Sequence, residues 1–134
     1  MIKSKILVLD DEEIVRISCK RVLEGEGYDV STASSVTEAI KLLELEDYTV
    51  VITDLLMPDT DGFEFLGIIK NRWPSLRVVV MTGYGTVEIT QKSLELGAKE
   101  FLKKPFIPEE LISATLSACN AETEFYLNDD FMDM

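Results

Sequence analysis

The run Val50-Val51-Ile52-Thr53-Asp54 constrains this chain more than any other stretch. It is apolar and β-branched, it stops on a carboxylate, and Leu55-Leu56-Met57-Pro58-Asp59 follows as a proline-containing loop. An unbroken apolar run of this length, closed by a turn signal, reads as a strand buried on both faces, the situation of a central strand in a parallel sheet. Asp54 is then the last residue of that strand. Ligands of open parallel sheets bind in the crevice outside the carboxyl ends of the strands, so a carboxylate placed there is a candidate for chemistry. Taken alone, it also fits a helix cap or a turn former.

Similar segments recur at short intervals. Lys5-Ile6-Leu7-Val8-Leu9 predicts a first buried strand that runs into Asp10-Asp11-Glu12-Glu13. Ile14, Val15, Ser18, Cys19, Val22 and Leu23 then follow at helical spacing until Gly25 and Gly27 end the helix. Tyr28 to Ala33 predicts a second, less buried strand, and Ser35-Val36-Thr37-Glu38 is a capping-box signature opening a helix with Ala39, Ile40, Leu42 and Leu43. Beyond Asp54, Asp61-Gly62-Phe63-Glu64 caps a third helix with Phe65, Leu66 and Ile69 inward, closed by Trp73-Pro74.

Leu76 to Met81 predicts a fourth strand, ending on Thr82. Gly83-Tyr84-Gly85 gives a permissive turn into a fourth helix, whose apolar stripe of Val87, Ile89, Thr90, Ser93 and Leu94 is the thinnest of the set. Glu100 to Lys103 predicts a short fifth strand leading into Lys104-Pro105-Phe106. Pro108-Glu109-Glu110 opens the last helix, with proline in the first turn and acids at the positive end of its dipole. Five strands alternating with five helices predict an α/β fold: a doubly wound, five-stranded parallel sheet in the order 2-1-3-4-5, flavodoxin-like, with right-handed crossovers.

A chain of 134 residues makes one domain with a real core. Its expected extent is residues 4–120. From residue 121 to 134 the sequence mixes acids with Phe125, Tyr126, Leu127, Phe131 and Met132, which reads as an extension of the last helix, a linker, or a solvated end. No apolar run approaches the roughly 20 residues of a membrane span, and Met1-Ile2-Lys3-Ser4-Lys5 has no signal-peptide architecture, so a cytoplasmic location is expected. Cys19 and Cys119 fall among apolar helical neighbours and read as reduced core residues. The formal net charge of -12 opposes direct contact with nucleic acid phosphates. Histidine is absent, which removes Ser-His-Asp and Cys-His nucleophile arrangements and the usual zinc sites.

The predicted topology places Asp10 and Asp11, Asp54, Thr82 and Lys104 along one edge, at the ends of strands one, three, four and five. Carboxylates gathered in one crevice repel one another unless they share a cation, and a hard divalent ion such as Mg²⁺ suits carboxylates plus a backbone carbonyl. Lys104 adds a mobile positive charge and Thr82 a hydroxyl. Such a set fits transfer of a phosphoryl group to Asp54, with metal and lysine offsetting charge on the equatorial oxygens. Each member has a plainer reading: Asp10 and Asp11 as helix caps, Thr82 as a strand residue, Lys104 as a solvated charge. Their joint occurrence at equivalent strand ends favours the chemistry.

With these residues in place, the chain resembles the receiver domain of two-component response regulators from about Lys5 to Cys119. The acidic pair, Asp54 with Met57-Pro58 and Asp61-Gly62, Thr82 before a small residue, and Lys104-Pro105-Phe106 carry the likeness. The loop Met81-Thr82-Gly83-Tyr84-Gly85-Thr86 is similar to receivers of sigma-54-dependent activators. The resemblance implies a CheY-like fold and a phosphoacceptor, Asp54, loaded from a phosphohistidine on a histidine kinase or phosphotransfer protein. It implies Mg²⁺ held by Asp11, Asp54 and the Leu56 backbone carbonyl, with Asp10 acting through water. Lys104 would pair with the acyl phosphate, Thr82 would be drawn toward it, and the Lys104–Pro105 bond would be cis.

The switch aromatic of such domains falls on Phe101, which without a hydroxyl can change only packing. Output through the face of the fourth helix, fifth strand and fifth helix, an effector or output domain, and a homodimer formed on phosphorylation are also implied. A haloacid-dehalogenase-like phosphohydrolase is the rival from another class, but Leu56 stands where its general acid would be. A degenerate receiver serving only as a binding module is the other.

Overall fold

The structure, a computed structural model, describes residues 4–58 and 60–120. The β-branched runs form strands and the amphipathic segments form helices in the order β1 (Lys5–Leu9), α1 (Glu13–Gly25), β2 (Asp29–Ala33), α2 (Val36–Leu45), β3 (Val50–Asp54), β4 (Leu56–Met57), β5 (Thr60–Asp61), α3 (Gly62–Arg72), β6 (Arg77–Thr82), α4 (Val87–Glu95), β7 (Ala98–Lys103) and α5 (Pro108–Cys119). The sheet runs β2-β1-β3-β6-β7 and every neighbouring pair in it is parallel. Counting only its five members, this is the predicted order. The pair β4 and β5 is an addition to the expected elements, a two-residue antiparallel ladder with Leu56 opposite Asp61.

Strand β1 shows why its sequence is apolar at every position from Ile6 to Leu9. Successive side chains point to opposite faces. Leu7 and Leu9 join Val51, Ala39, Leu43, Phe65, Leu66 and Ile69 on the side covered by α2 and α3, while Ile6 and Val8 join Ile52, Cys19, Leu23, Leu111 and Ala118 on the side covered by α1 and α5. Two cores therefore pack on one sheet, and only the strand ends are left for ligands.

Local signals hold with three differences. Ser35 Oγ accepts the Glu38 N–H at 3.2 Å, but the Glu38 carboxylate turns to the Ser34 N–H and hydroxyl, so the box is closed one residue early. Ile14 does not reach the core: α1 begins at Glu13, its first turn overhangs the sheet rim, and Ile14 is 72% exposed. Helix α4 buries less than its spacing predicts, because Val87 and Leu94 are exposed and Ser93 is its fully buried residue, bonded back to the Ile89 carbonyl at 2.8 Å. Asp61 caps α3 through the Phe63 N–H at 2.9 Å, and Phe65, Leu66 and Ile69 are buried as predicted.

Cys19 and Cys119 are free thiols, the first fully buried, and burial pushes the Cys19 thiol up to about 11. The expectation for residues 121–134 lies outside the described residues.

Candidate functional site

Neighbouring parallel strands deliver their last residues to one rim. Leu9 pairs with Thr53, Asp54 with Met81, and Thr82 with Lys103, so Asp10, Asp54, Thr82 and Lys104 emerge side by side. The Lys104 ammonium lies 2.6 Å from Asp10 Oδ2 and 3.2 Å from Asp54 Oδ2, closing contacts between residues 94 and 50 positions apart. Asp10 is fully buried and Asp54 nearly so.

Each partner is fixed by its own backbone environment. The Asp10 N–H donates to the Ala33 carbonyl at 3.2 Å, Asp10 Oδ1 accepts the Glu12 N–H at 2.9 Å, and the Asp10 carbonyl accepts from Arg16 Nη1 at 2.8 Å. Asp54 Oδ1 accepts the Leu56 N–H at 3.2 Å. The Lys104 N–H donates to the Thr82 carbonyl at 2.8 Å, and the Lys104–Pro105 bond is cis. Thr82 is buried, and its Oγ1 accepts the Tyr84 N–H at 3.1 Å.

Burial pushes the Asp54 carboxyl above its usual range, against the pull of the Leu56 N–H and Lys104. Burial works against the Lys104 ammonium too, yet pairing with Asp10 and Asp54 raises it above its ordinary value. A simple ion pair would lower the acid while raising the base. Here both rise, because burial outweighs the help Asp54 receives from Leu56 and from Lys104, which sits closer to Asp10, and the Asp10 charge adds a smaller push in the same direction.

One ammonium therefore serves two buried carboxylates. Asp11 and Glu12 add two more at the rim: oxygens of Asp10, Asp11 and Glu12 lie within 4.8 Å of one another, with Asp11 and Glu12 exposed. Hard oxygen donors with negative charge in excess fit a divalent cation of the Mg²⁺ type. The segment bearing the Leu56 carbonyl is tied to Asp54 through the Leu56 N–H, and its far side is pinned by α3, where Gly62 N–H donates to the Leu55 carbonyl at 3.2 Å.

A side chain at Gly62 would collide with that segment. A Cβ there would stand 2.4 Å from the Leu55 carbonyl oxygen and 2.5 Å from its Cα, both backbone atoms. Gly62→Ala is expected to lower stability by about 1–3 kcal/mol, the usual cost of overpacking. Thermal unfolding checks this; an unchanged melting temperature would mean that the loop yields freely.

The structure thus brings Asp10, Asp54 and Lys104 into direct contact, sets Thr82 on the adjoining strand end and leaves Asp11 on the rim. Phe101 is half-buried against the core on the α2 and α3 side, and its ring lies 3.7 Å from where a Cβ on Gly85 would be. Two contributors escaped the sequence reading. Glu12 Oε1 lies 3.9 Å from the Lys104 ammonium, and Arg16 holds the Asp10 carbonyl. Glu12 was visible only as part of an acidic run; Arg16 gave no signal.

A doubly wound α/β protein with a carboxylate-rich crevice at its strand ends is the class that fold and rim define. Within that class, the model of the response regulator receiver domain matches residues 6–116, and the chain belongs to that family. Relatives include sporulation initiation phosphotransferase F of Bacillus subtilis, 35% identical over 114 residues, covering 85% of this chain and 92% of the relative. A putative response regulator, NtrX-like, of Rickettsia typhi is 34% identical over 116 residues, covering 85% of this chain but 24% of the relative. The chain thus spans about a quarter of the length of several curated relatives. Among solved structures, the beryllofluoride-activated NtrC4 receiver domain dimer superposes with a TM-score of 0.81 at 39% identity, covering 90% of this chain and 98% of the other.

Proposed function

We propose that Asp54 is the phosphoacceptor of this receiver domain and that it takes its phosphoryl group from a phosphohistidine on a histidine kinase or phosphotransfer protein. The observation that carries this reading is the Lys104 ammonium standing between Asp10 and Asp54, with Asp54 buried at the end of the central strand. An Asp54 carboxylate oxygen attacks phosphorus in line, the P–N bond to the donor imidazole breaks, and the imidazole leaves with its electron pair and takes up a proton. Lys104 offsets charge on the transferring oxygens, and Thr82 supplies a hydroxyl on the adjoining strand. Asp10, Asp11, Asp54 and the Leu56 carbonyl would hold Mg²⁺, which when bound neutralises charge on the same oxygens. Lys104 and Thr82 assist both gain and loss of the group, and the domain is a phosphoacceptor rather than an enzyme with a separate substrate.

The receiver unit takes residues 4–120, and the longer relatives suggest an output domain joined to such a unit. Phe101 repacks when Thr82 moves, and the face of α4, β7 and α5 carries the signal to an effector or to a second copy. Exposed Tyr84, Val87, Leu94 and Leu116 lie on these elements or their approach and support that choice. The strong acidity of the chain fits a domain that does not itself touch nucleic acid. No described helix is long and apolar enough to cross a membrane, which supports a cytoplasmic site of action.

Acetyl phosphate with Mg²⁺ is expected to place one acid-labile phosphoryl group on the wild-type chain, mapped by mass spectrometry to Asp54 and lost when EDTA replaces the metal. Labelling elsewhere, or undiminished labelling in EDTA, would overturn the assignment.

A further inference from the structure

The Lys104 ammonium has three carboxylates around it: Asp10 at 2.6 Å, Asp54 at 3.2 Å and Glu12 at 3.9 Å. The first two belong to residues that would also hold a divalent cation in the proposed site. Lysine and metal therefore compete, and an ammonium that is mostly buried cannot be stripped of its acceptors without a large penalty. Glu12 is the acceptor left over. Its N–H is tied to Asp10 Oδ1 at 2.9 Å, which fixes its backbone beside the pocket, and its side chain makes no helix-cap bond although it stands at the N-cap of α1. The side chain is 61% exposed, so it can move to meet the ammonium at little cost.

We propose that Glu12 is a positioning residue that receives the Lys104 ammonium as Asp10 and Asp54 turn to the divalent cation, keeping the lysine at the mouth of the pocket. This rests on the reading of Asp54 and its neighbours as an Mg²⁺ site. Glu13 supplies the matched control: it carries the same charge one residue on, but begins α1 and lines a different hollow, with Arg16, Ile17, Lys20 and Thr32.

The test is calorimetric titration of the full chain with Mg²⁺ alone. Glu12→Gln is expected to weaken Mg²⁺ binding about fivefold, and Glu13→Gln less than twofold. In a Lys104→Met background, Glu12→Gln should change the affinity no more than Glu13→Gln does, since the ammonium it serves is gone. Persistence of the fivefold loss in that background would make Glu12 a ligand of the ion itself and overturn the proposal. So would equal losses for Glu12→Gln and Glu13→Gln, which would reduce the effect to general charge. Absence of Mg²⁺ binding in the wild type would overturn the metal site and this role with it, a result read before any variant is compared.

Discussion

Asp54→Asn is expected to abolish labelling by acetyl phosphate and, in EDTA, to make the protein more stable than the wild type. The first effect follows from removing the attacking oxygen's charge. The second follows from burial. The folded chain holds the Asp54 proton more tightly than the unfolded chain does, so the stability this group contributes is present below the usual aspartate range and is lost as pH rises through its raised folded value. Near neutrality an ionised Asp54 therefore opposes folding. Asparagine keeps the shape and drops the charge, while Lys104 retains its shorter contact to Asp10. A gain of about 1 kcal/mol, or roughly 3–5 °C, is the size to look for. Scanning calorimetry between about pH 4 and 7.5 should show the gap between the two proteins opening as pH rises. Mg²⁺ at about 100 times its Kd should stabilise the wild type by about 2.7 kcal/mol and the variant by less. A lower melting temperature for Asp54→Asn in EDTA would show that Asp54 is held chiefly as an ion-pair partner.

The acceptor strand was legible because its environment wrote itself into its residues. A strand covered on both faces must be apolar throughout, so Val50 to Ile52 and the carboxylate that ends them stand out, and right-handed crossovers then bring Asp10, Asp54, Thr82 and Lys104 to one edge. What the sequence hid is what periodicity cannot carry. The ladder of β4 and β5 is two residues long on each side and shows no repeat. The exposure of Ile14 depends on where α1 starts relative to the sheet rim, which helical spacing leaves undetermined. Arg16 bonds a backbone carbonyl, and a carbonyl has no residue type to recognise. Glu12 depends on distances set by the loop between β1 and α1, because neighbours in an acidic run look alike until that loop separates them.

The loop after Asp54 also joins the acceptor to the helix that buries least. Leu56 N–H touches the Asp54 carboxylate, Gly62 packs on Leu55, and Phe63 on the next residue carries the Lys92 ammonium of α4 over its ring at 4.4 Å. Lys70 of α3 adds a bond to the Glu95 carbonyl at 3.2 Å. Polar and cation–π contacts of this kind contribute on the order of 1 kcal/mol each, so α4, whose Ile89 packs only partly buried against the core, rests largely on small terms. An element held that way shifts readily when the loop does.

Lys104→Met is expected to separate binding from chemistry. The lysine acts as an internal cation between Asp10 and Asp54, so without it Mg²⁺ meets no competitor and should bind several-fold more tightly. In EDTA the variant leaves a fully buried Asp10 facing Asp54 with no counter-charge, which costs about 3 kcal/mol, as breaking a buried pair does. Mg²⁺ should restore that loss. Transfer should nevertheless fall about 100-fold at saturating Mg²⁺, the scale on which removal of one donor to developing oxyanion charge is felt. No titration of the lysine interferes, because pairing raises its pKa: its stabilising contribution is complete below the ordinary lysine value and is lost only as pH rises through the raised one. Calorimetric Mg²⁺ titration and the initial rate of labelling by acetyl phosphate check the two halves separately. Weaker Mg²⁺ binding by Lys104→Met would show that the ammonium prepares the site for the ion instead of competing with it, and wild-type labelling rates would remove Lys104 from the transfer step.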